Sequence, residues 1–199
     1  MNLNKLFAEQ QKLDEHIIKN KKLEGQNLVK KKTVALICEL YELANEMRVF
    51  KFWSNDQKPR KEVYEECSFC FGTGFDRYGN GMFDHSVPCP DCYGEGKVLV
   101  NSLIEEFSDV IHFTLSIAND LGYHEHKYIK THTKDLNDLV IGITNIATII
   151  PQSKEKHHVH TLLNNIIQLG YQLGFTEEQV IDAYFNKNEE NYARQENGY

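Results

Sequence analysis

Apolar residues recur three or four positions apart over most of the chain, which is the spacing of an α-helix. This period predicts six helices, at about residues 3–23, 33–50, 101–121, 134–150, 154–173 and from 176 onward. The alternation typical of strands is scarce, and residues 60–100 interrupt the helical pattern. The sequence therefore predicts an all-α fold with one irregular segment.

Several helix ends carry recognisable signals. Pro151 is predicted to stop the fourth helix, and Gly170 and Gly174 to mark the end of the fifth. Thr176 and Gln179 form a capping box at the start of the sixth helix. The run Lys30-Lys31-Lys32 precedes the second helix and is predicted to be its solvated start.

Two of the predicted helices carry a pair of carboxylates three positions apart. The second helix has Glu39 and Glu42, and the third has Glu106 and Asp109. Residues at i and i+3 share one helix face, so packing the two helices together brings four carboxylates into one place. Four such charges repel each other, and Mg²⁺ with its preference for oxygen ligands is the usual remedy. The alternative is that each pair lies on a solvated face.

Polar residues at helical spacing also occur in the first and last helices. Gln11 and Asp14 lie on a partly apolar face of the first helix, where an amide and a carboxylate can read a polar planar ligand. Lys187, Asn191 and Arg194 follow one another at i, i+4 and i+7 and form a donor face that suits phosphate oxygens. The alternatives are a solvated flank and ordinary surface charge.

The irregular segment, residues 60–100, contains two CxxC pairs, each followed by a Gly-x-Gly turn. The four cysteines are Cys67, Cys70, Cys89 and Cys92. Two such pairs separated by a glycine-rich loop predict a tetrahedral Zn²⁺ site, and four protein ligands make that zinc structural. The alternative is two disulfides, which cytosolic proteins rarely keep. The fifth cysteine, Cys38, lies in the second helix and is predicted to be a buried thiol.

Composition narrows the possible partners. The chain has 199 residues and a formal net charge of -7, which argues against general binding to a nucleic acid duplex. It contains no apolar run long enough to span a bilayer, and residues 1–7 lack the apolar core of a signal peptide. A cytoplasmic location and no membrane partner follow as predictions.

Four motifs occur in a characteristic order along the chain: Gln11-x-x-Asp14, Glu39-x-x-Glu42, Glu106-x-x-Asp109 and a C-terminal motif from Lys187 to Tyr199. Together they resemble the dimeric, all-α dUTPase family, which belongs to the wider MazG-like group of all-α nucleotide pyrophosphohydrolases. The acidic pairs alone indicate only the wider group, and the C-terminal motif indicates the dUTPase branch. The resemblance covers nearly all of the chain outside residues 60–100.

The resemblance implies a role for each motif. It implies that Glu39, Glu42, Glu106 and Asp109 are Mg²⁺ ligands, and that Glu42 also orients the attacking water. Gln11 and Asp14 match the uracil-reading pair, and Trp53 lies where an aromatic side chain borders the base pocket. Lys187, Asn191 and Arg194 match the phosphate contacts.

The resemblance also implies the domain organisation and the reaction. Residues 1–199 form one all-α domain like a MazG-type helical bundle, and residues 60–100 are an inserted zinc-binding module. The expected activity is Mg²⁺-dependent hydrolysis of dUTP to dUMP and pyrophosphate by a homodimer, with a metal-activated water attacking the α-phosphorus. The alternatives are a related pyrophosphohydrolase for another dNTP and a zinc-scaffold interaction protein without turnover.

Overall fold

The structure, a computed structural model, describes residues 1–77, 83–131, 135–153 and 155–198. Within these residues the helices are α1 (Asn4–Asn20), α2 (Val29–Met47), α3 (Ser102–Asp120), α4 (Leu136–Ser153), α5 (Lys156–Gln172) and α6 (Glu177–Glu196). The all-α class is thereby confirmed. Lys134 and Lys154, predicted to begin helices, and Tyr199 of the C-terminal motif lie outside the described residues.

The chain divides into two compact units. The larger comprises residues 1–59 and 103–199, and the smaller comprises residues 60–102. In the larger unit, α4 packs against α2 and α5, and α1 packs against α6. The apolar side chains of α3 are buried around most of its circumference, among them Phe107, Ile111 and Leu115. A helix that is apolar on nearly all sides belongs at the centre of a bundle, and α3 occupies that place.

Two residues predicted to mark helix ends lie inside helices, whereas Gly174 follows the end of α5 with a φ of 80°. α4 continues through Pro151 to Ser153, so the carbonyl of Ala147 has no N–H partner at Pro151. Gly170 lies inside α5, where a Cβ would come within 2.6 Å of Cζ of Phe107. Close packing of α5 against this ring therefore requires glycine, which explains a glycine away from a helix end. The predicted capping box is confirmed, because Thr176 Oγ1 accepts from Gln179 N and Thr176 N donates to Gln179 Oε1.

The smaller unit consists of two antiparallel β-pairs. Strands β1 (Val63–Glu66) and β4 (Lys97–Val100) form one pair, and β2 (Phe75–Arg77) and β3 (Phe83–Pro88) form the other. The first pair begins with Val63 opposite Val100, so the chain enters and leaves this pair at neighbouring points. The four cysteines of the CxxC pairs are its buried centre.

Two further features concern the surface. Cys38 is exposed on α2, so the prediction of a buried thiol is wrong; it lies on the helix face opposite the buried Leu36 and Leu40. Among the described residues, no helix combines the length and the apolar character needed to cross a membrane.

Candidate functional site

Three of the four carboxylates predicted to hold Mg²⁺ lie together. Each of Glu39, Glu42 and Glu106 offers an oxygen within 4.8 Å of the oxygens of the others. Helical spacing aligns the first two on α2, and α3 brings the third beside them. Burial, with the neighbouring carboxylates, raises the pKa of Glu106 to about 7 and also raises the pKa of Glu39. Such a set of crowded oxygen donors suits a hard divalent cation.

The fourth predicted ligand, Asp109, has a different partner. Its Oδ2 lies 2.9 Å from Nζ of Lys187, and both side chains are largely shielded from solvent. Burial raises the pKa of Asp109, and this effect outweighs the opposing charge of Lys187. The pair places a residue of the predicted phosphate face next to the acidic cluster.

A cavity of about 460 Å³ lies between the predicted base-reading residue Asp14, the acidic residues Glu39 and Asp109, and the predicted phosphate face of α6. Its polar lining comes from four helices and comprises Gln10, Asp14, Lys31, Lys32, Glu39, Asp109, His112, Ser116, Lys187, Asn191 and Arg194. The remaining walls are apolar, among them Leu13, Ile17 and Phe113. Its volume is in the range of small-molecule sites, which combine apolar walls with a few placed polar groups.

Asp14 is the centre of a hydrogen-bond network in this cavity. Gln10 Nε2 donates to Asp14 Oδ1 at 2.9 Å, and Ser116 Oγ donates to Asp14 Oδ2 at 2.6 Å. Lys32 Nζ lies 3.3 Å from the same Oδ2 and 2.8 Å from Asp120 Oδ1. Burial raises the pKa of Asp14, while Lys32, Ser116 and Gln10 oppose that rise.

Gln10, which the sequence reasoning missed, is fixed by two further partners. Tyr184 Oη donates to Gln10 Oε1 at 3.0 Å, and His112 Nδ1 lies 2.8 Å from the same oxygen. Burial lowers the pKa of His112 to about 4, so the ring is neutral near pH 7. Both ring nitrogens face acceptors, Nδ1 at 2.8 Å from Gln10 Oε1 and Nε2 at 3.3 Å from the carbonyl oxygen of Tyr184, and the shorter contact assigns the ring proton to Nδ1. Gln10 is 3% exposed, and its amide is oriented with the nitrogen towards Asp14.

Gln11, the predicted partner of Asp14, does not line this cavity. It is exposed, and its Nε2 donates to Glu15 Oε1 at 2.9 Å. Gln10 rather than Gln11 faces the cavity for a geometric reason, because Gln10 follows Leu6 by four positions and precedes Leu13 by three. Both leucines are fully buried, so the side chain between them on the same stripe also turns inward.

Trp53 is also not brought to the cavity in this chain. It is 66% exposed and packs edge-on against Phe50 and Phe52, with ring centroids 5.8 and 5.0 Å away. The reason lies at the end of α2, where Arg48 adopts a left-handed conformation and its side chain pairs with Asp56 at 2.8 Å. The chain turns there and leaves the helix direction on which the prediction depended.

The predicted phosphate face on α6 does line the cavity. Lys187, Asn191 and Arg194 all contribute to its wall. Glu190 shares this face and forms ion pairs with both Lys187 and Arg194. The donor face therefore includes a carboxylate, which holds the two long side chains in place.

Lys32 is largely buried, although the sequence predicts that it is solvated. Its side chain is 11% exposed and pairs with two carboxylates, one on α1 and one on α3. A run of three lysines does not show which of them faces inward. The helix begins at Val29, and this start places Lys32 one turn before the buried Leu36. The sequence signal that Lys32 faces inward was its spacing of four positions from Leu36.

The four cysteines of the smaller unit form a second, separate cluster. Their Sγ atoms are buried, with Cys67 and Cys89 3.8 Å apart and Cys70 and Cys92 3.6 Å apart. Tetrahedral ligands at ~2.3 Å from a zinc ion are ~3.8 Å from one another, so the arrangement fits the metal. The N–H of Gly74 donates to Cys70 Sγ at 3.2 Å, which supports a thiolate.

Comparison with known proteins assigns the chain to a class. The family model described as dUTPase matches residues 2–71 and 95–199, which is most of the sequence. The chain therefore belongs to the dUTPase family, in its all-α form. Membership supports dUTP diphosphatase activity at the level of the family. The internal segment left unmatched, residues 72–94, lies within the smaller unit. No curated protein matches the chain.

Proposed function

We propose that this protein is a Mg²⁺-dependent dUTP diphosphatase that releases dUMP and pyrophosphate. The observation that carries the proposal is the shared cavity. It joins a paired amide and carboxylate, Gln10 and Asp14, to the phosphate face of α6 and to Glu39 of the acidic cluster. A base reader, phosphate donors and a metal-binding cluster within reach of one another are what this reaction needs.

The remaining hydrogen-bonding capacity of Gln10 and Asp14 suits uracil. Gln10 Oε1 already has two donors, whereas its Nε2 uses one hydrogen on Asp14 and keeps the other. Asp14 Oδ2 has two donors, whereas Oδ1 has one and retains a lone pair. A donor beside an acceptor matches the uracil edge, where a carbonyl stands next to an N–H.

The reacting phosphate would lie between α6 and the acidic cluster. Bound Mg²⁺ supplies charge neutralisation at the phosphate oxygens and lowers the pKa of water. Glu39, Glu42 and Glu106 would hold it, with Asp109 as the fourth ligand. Glu42 accepts a hydrogen bond from the attacking water and orients it towards the α-phosphorus. As the bond from that phosphorus to the bridging oxygen breaks, Lys187, Asn191 and Arg194 donate to the leaving pyrophosphate.

A hydrolysis assay over a panel of nucleotides tests the proposal. With Mg²⁺ present, we expect turnover of dUTP and a kcat/KM for dCTP at least ~10-fold lower, because cytosine has an unprotonated nitrogen opposite Asp14. Equal turnover of dUTP and dCTP would favour the broader pyrophosphohydrolase. The absence of any turnover would favour the zinc-scaffold protein and contradict the enzyme.

For the smaller unit we propose one structural Zn²⁺ per chain, bound by its four cysteines. Metal analysis of protein purified without chelator is expected to find one zinc equivalent. Cys67→Ser should unfold residues 60–102 and leave the helices of the larger unit intact, since each unit has its own buried centre. Far-UV circular dichroism and proteolysis measure both effects. Loss of the whole helical signal would contradict an independent module.

A homodimer and a cytoplasmic location stay predictions. The dimer is supported by an apolar groove between α2 and α4 to which the exposed Tyr41, Phe52 and Ile141 contribute. Measurement of the mass in solution tests it, and a monomer at all concentrations would contradict it.

A further inference from the structure

We propose that Lys32 is a positioning residue that keeps Asp14 ionised, and that it thereby sets the preference of the cavity for uracil over cytosine. This inference rests on the proposed function. Lys32 was predicted to be solvated, and neither its inward position nor its two ion pairs is needed for holding Mg²⁺ or phosphate.

The geometry places the lysine as a bridge between two carboxylates. Lys32 comes from α2, Asp14 from α1 and Asp120 from the last residue of α3. Nζ lies 3.3 Å from Asp14 Oδ2 and 2.8 Å from Asp120 Oδ1, and its side chain is 11% exposed. Asp120 anchors the ammonium group in this position, and the contact with Asp14 then needs little further ordering of the lysine.

The charge state of Asp14 depends on this contact. Its side chain is 12% exposed, and such burial favours the protonated acid. The charge of Lys32 is the largest influence that opposes this protonation, followed by the hydrogen bond from Ser116 and the one from Gln10. The latter two are neutral donors, so the lysine is the only cation among these partners.

Two tyrosines and one histidine that also face this network are neutral near pH 7. Tyr184 and Tyr192 on α6 interact electrostatically with Asp14, and burial raises the pKa of each. His112 on α3 contacts Gln10 and has its pKa lowered to about 4 by burial. The carboxylate of Asp120 contacts Lys32 at 2.8 Å. Among the influences on the pKa of Asp14, Lys32 is therefore the strongest that favours the ionised form against burial.

The charge of Asp14 decides which base fits. An ionised carboxylate only accepts hydrogen bonds, so it pairs with the ring N–H of uracil and repels the ring nitrogen of cytosine. A protonated carboxyl group donates, so it pairs with cytosine and presents a hydrogen to the N–H of uracil. A lysine that maintains the charge therefore selects the base without contacting it.

The test compares Lys32→Met with the parent protein. Affinities for dUMP and dCMP are measured by calorimetry from about pH 5 to about pH 8. The affinity of the parent for dUMP should fall as the pH drops through the pKa of Asp14, because the charge is lost there. In Lys32→Met this midpoint should move to higher pH, and the ratio of dUMP to dCMP affinity at pH 7 should fall at least ~10-fold.

Two controls separate this role from a general loss of positive charge. Lys31→Met removes the same charge from the same helix and the same cavity, yet the described residues show no ion pair between Lys31 and a carboxylate. It should leave the affinity ratio and the midpoint in place. Lys32→Arg keeps a cation at the position and should restore the uracil preference.

A double-mutant cycle shows whether Lys32 acts through Asp14. Asp14→Asn cannot ionise, so adding Lys32→Met to it should change the affinity ratio by less than ~2-fold. If Lys32→Met does not fold, Lys32→Gln provides the measurement, because glutamine removes the charge but keeps a polar side chain beside Asp14 and Asp120. The midpoint should rise and the affinity ratio should fall as in Lys32→Met. An unchanged midpoint and ratio in folded Lys32→Gln would contradict the proposal.

The outcomes distinguish the inference from the proposed function. A parent protein that does not hydrolyse dUTP overturns the proposed function. A parent that prefers dUTP, with the ratio and midpoint of folded Lys32→Met unchanged, overturns the role of Lys32 alone. Equal weakening of dUMP and dCMP, with the midpoint in place, would show that Lys32 binds the nucleotide directly and also overturns it.

Discussion

Glu42→Gln is expected to abolish hydrolysis of dUTP while leaving the fold intact. Glutamine keeps the shape of the side chain but removes a charge from the cluster with Glu39 and Glu106. It also removes the acceptor proposed to orient the attacking water. We expect kcat to fall at least ~100-fold, in line with the loss of one electrostatic group at a reacting centre. Steady-state kinetics with saturating Mg²⁺ measure the effect.

The matched control is Glu46→Gln, one helical turn further along α2. It makes the same chemical change on the same helix, but Glu46 does not belong to the three-carboxylate cluster. Its kcat should stay near that of the parent. Near-parental turnover by Glu42→Gln, with an unchanged melting curve in both variants, would show that the proposed mechanism is wrong.

The second large effect is expected at Gln10. Gln10→Ala removes the amide donor beside Asp14 and leaves the hydroxyl of Tyr184 and Nδ1 of His112 without their shared acceptor. A lost partner of a buried polar group costs about 1–3 kcal/mol. We therefore expect kcat/KM for dUTP to fall at least ~10-fold, with little change in the Mg²⁺ concentration required.

The neighbouring Gln11 provides the comparison. Gln11→Ala removes an exposed side chain that contacts Glu15, and changes at exposed positions are usually worth less than ~0.5 kcal/mol. Its kcat/KM should stay within ~2-fold of the parent. The reverse result, with Gln11→Ala impaired and Gln10→Ala active, would support the original assignment and contradict base reading by Gln10.

The elements that sequence reasoning predicted correctly depend on local rules. The apolar period gave the helices, and the spacing of Glu39 and Glu42 on one face agrees with the observed cluster. The capping box required only two residues three positions apart, Thr176 and Gln179, to agree. These features hold wherever the helix packs, because they follow from the geometry of the helix itself.

The errors arose where the tertiary packing decides. Gln10 and Gln11 are adjacent and chemically identical, and only the buried neighbours Leu6 and Leu13 determine which one faces inward. Lys32 became an inward residue because Asp14 and Asp120 arrive from two other helices. The contacts of Lys32 with Asp14 and Asp120 are not visible in the local sequence, since partners more than ten residues apart leave no periodic signal. The spacing of Gln10 from Leu6 and Leu13, by contrast, was a local signal that favoured Gln10 over Gln11.

The pairing of Val63 with Val100 has a consequence for how this chain tolerates changes in length. Because the two strands run antiparallel and meet at their outer ends, the distance that the intervening residues must span is fixed by one backbone pairing. Changing the length of the segment between β1 and β4 alters the free energy of closing this loop only slowly, by about 0.6 kcal/mol for each doubling of its length. The pairing of β1 with β4 therefore makes this segment a place where evolution or an engineer can exchange one small module for another.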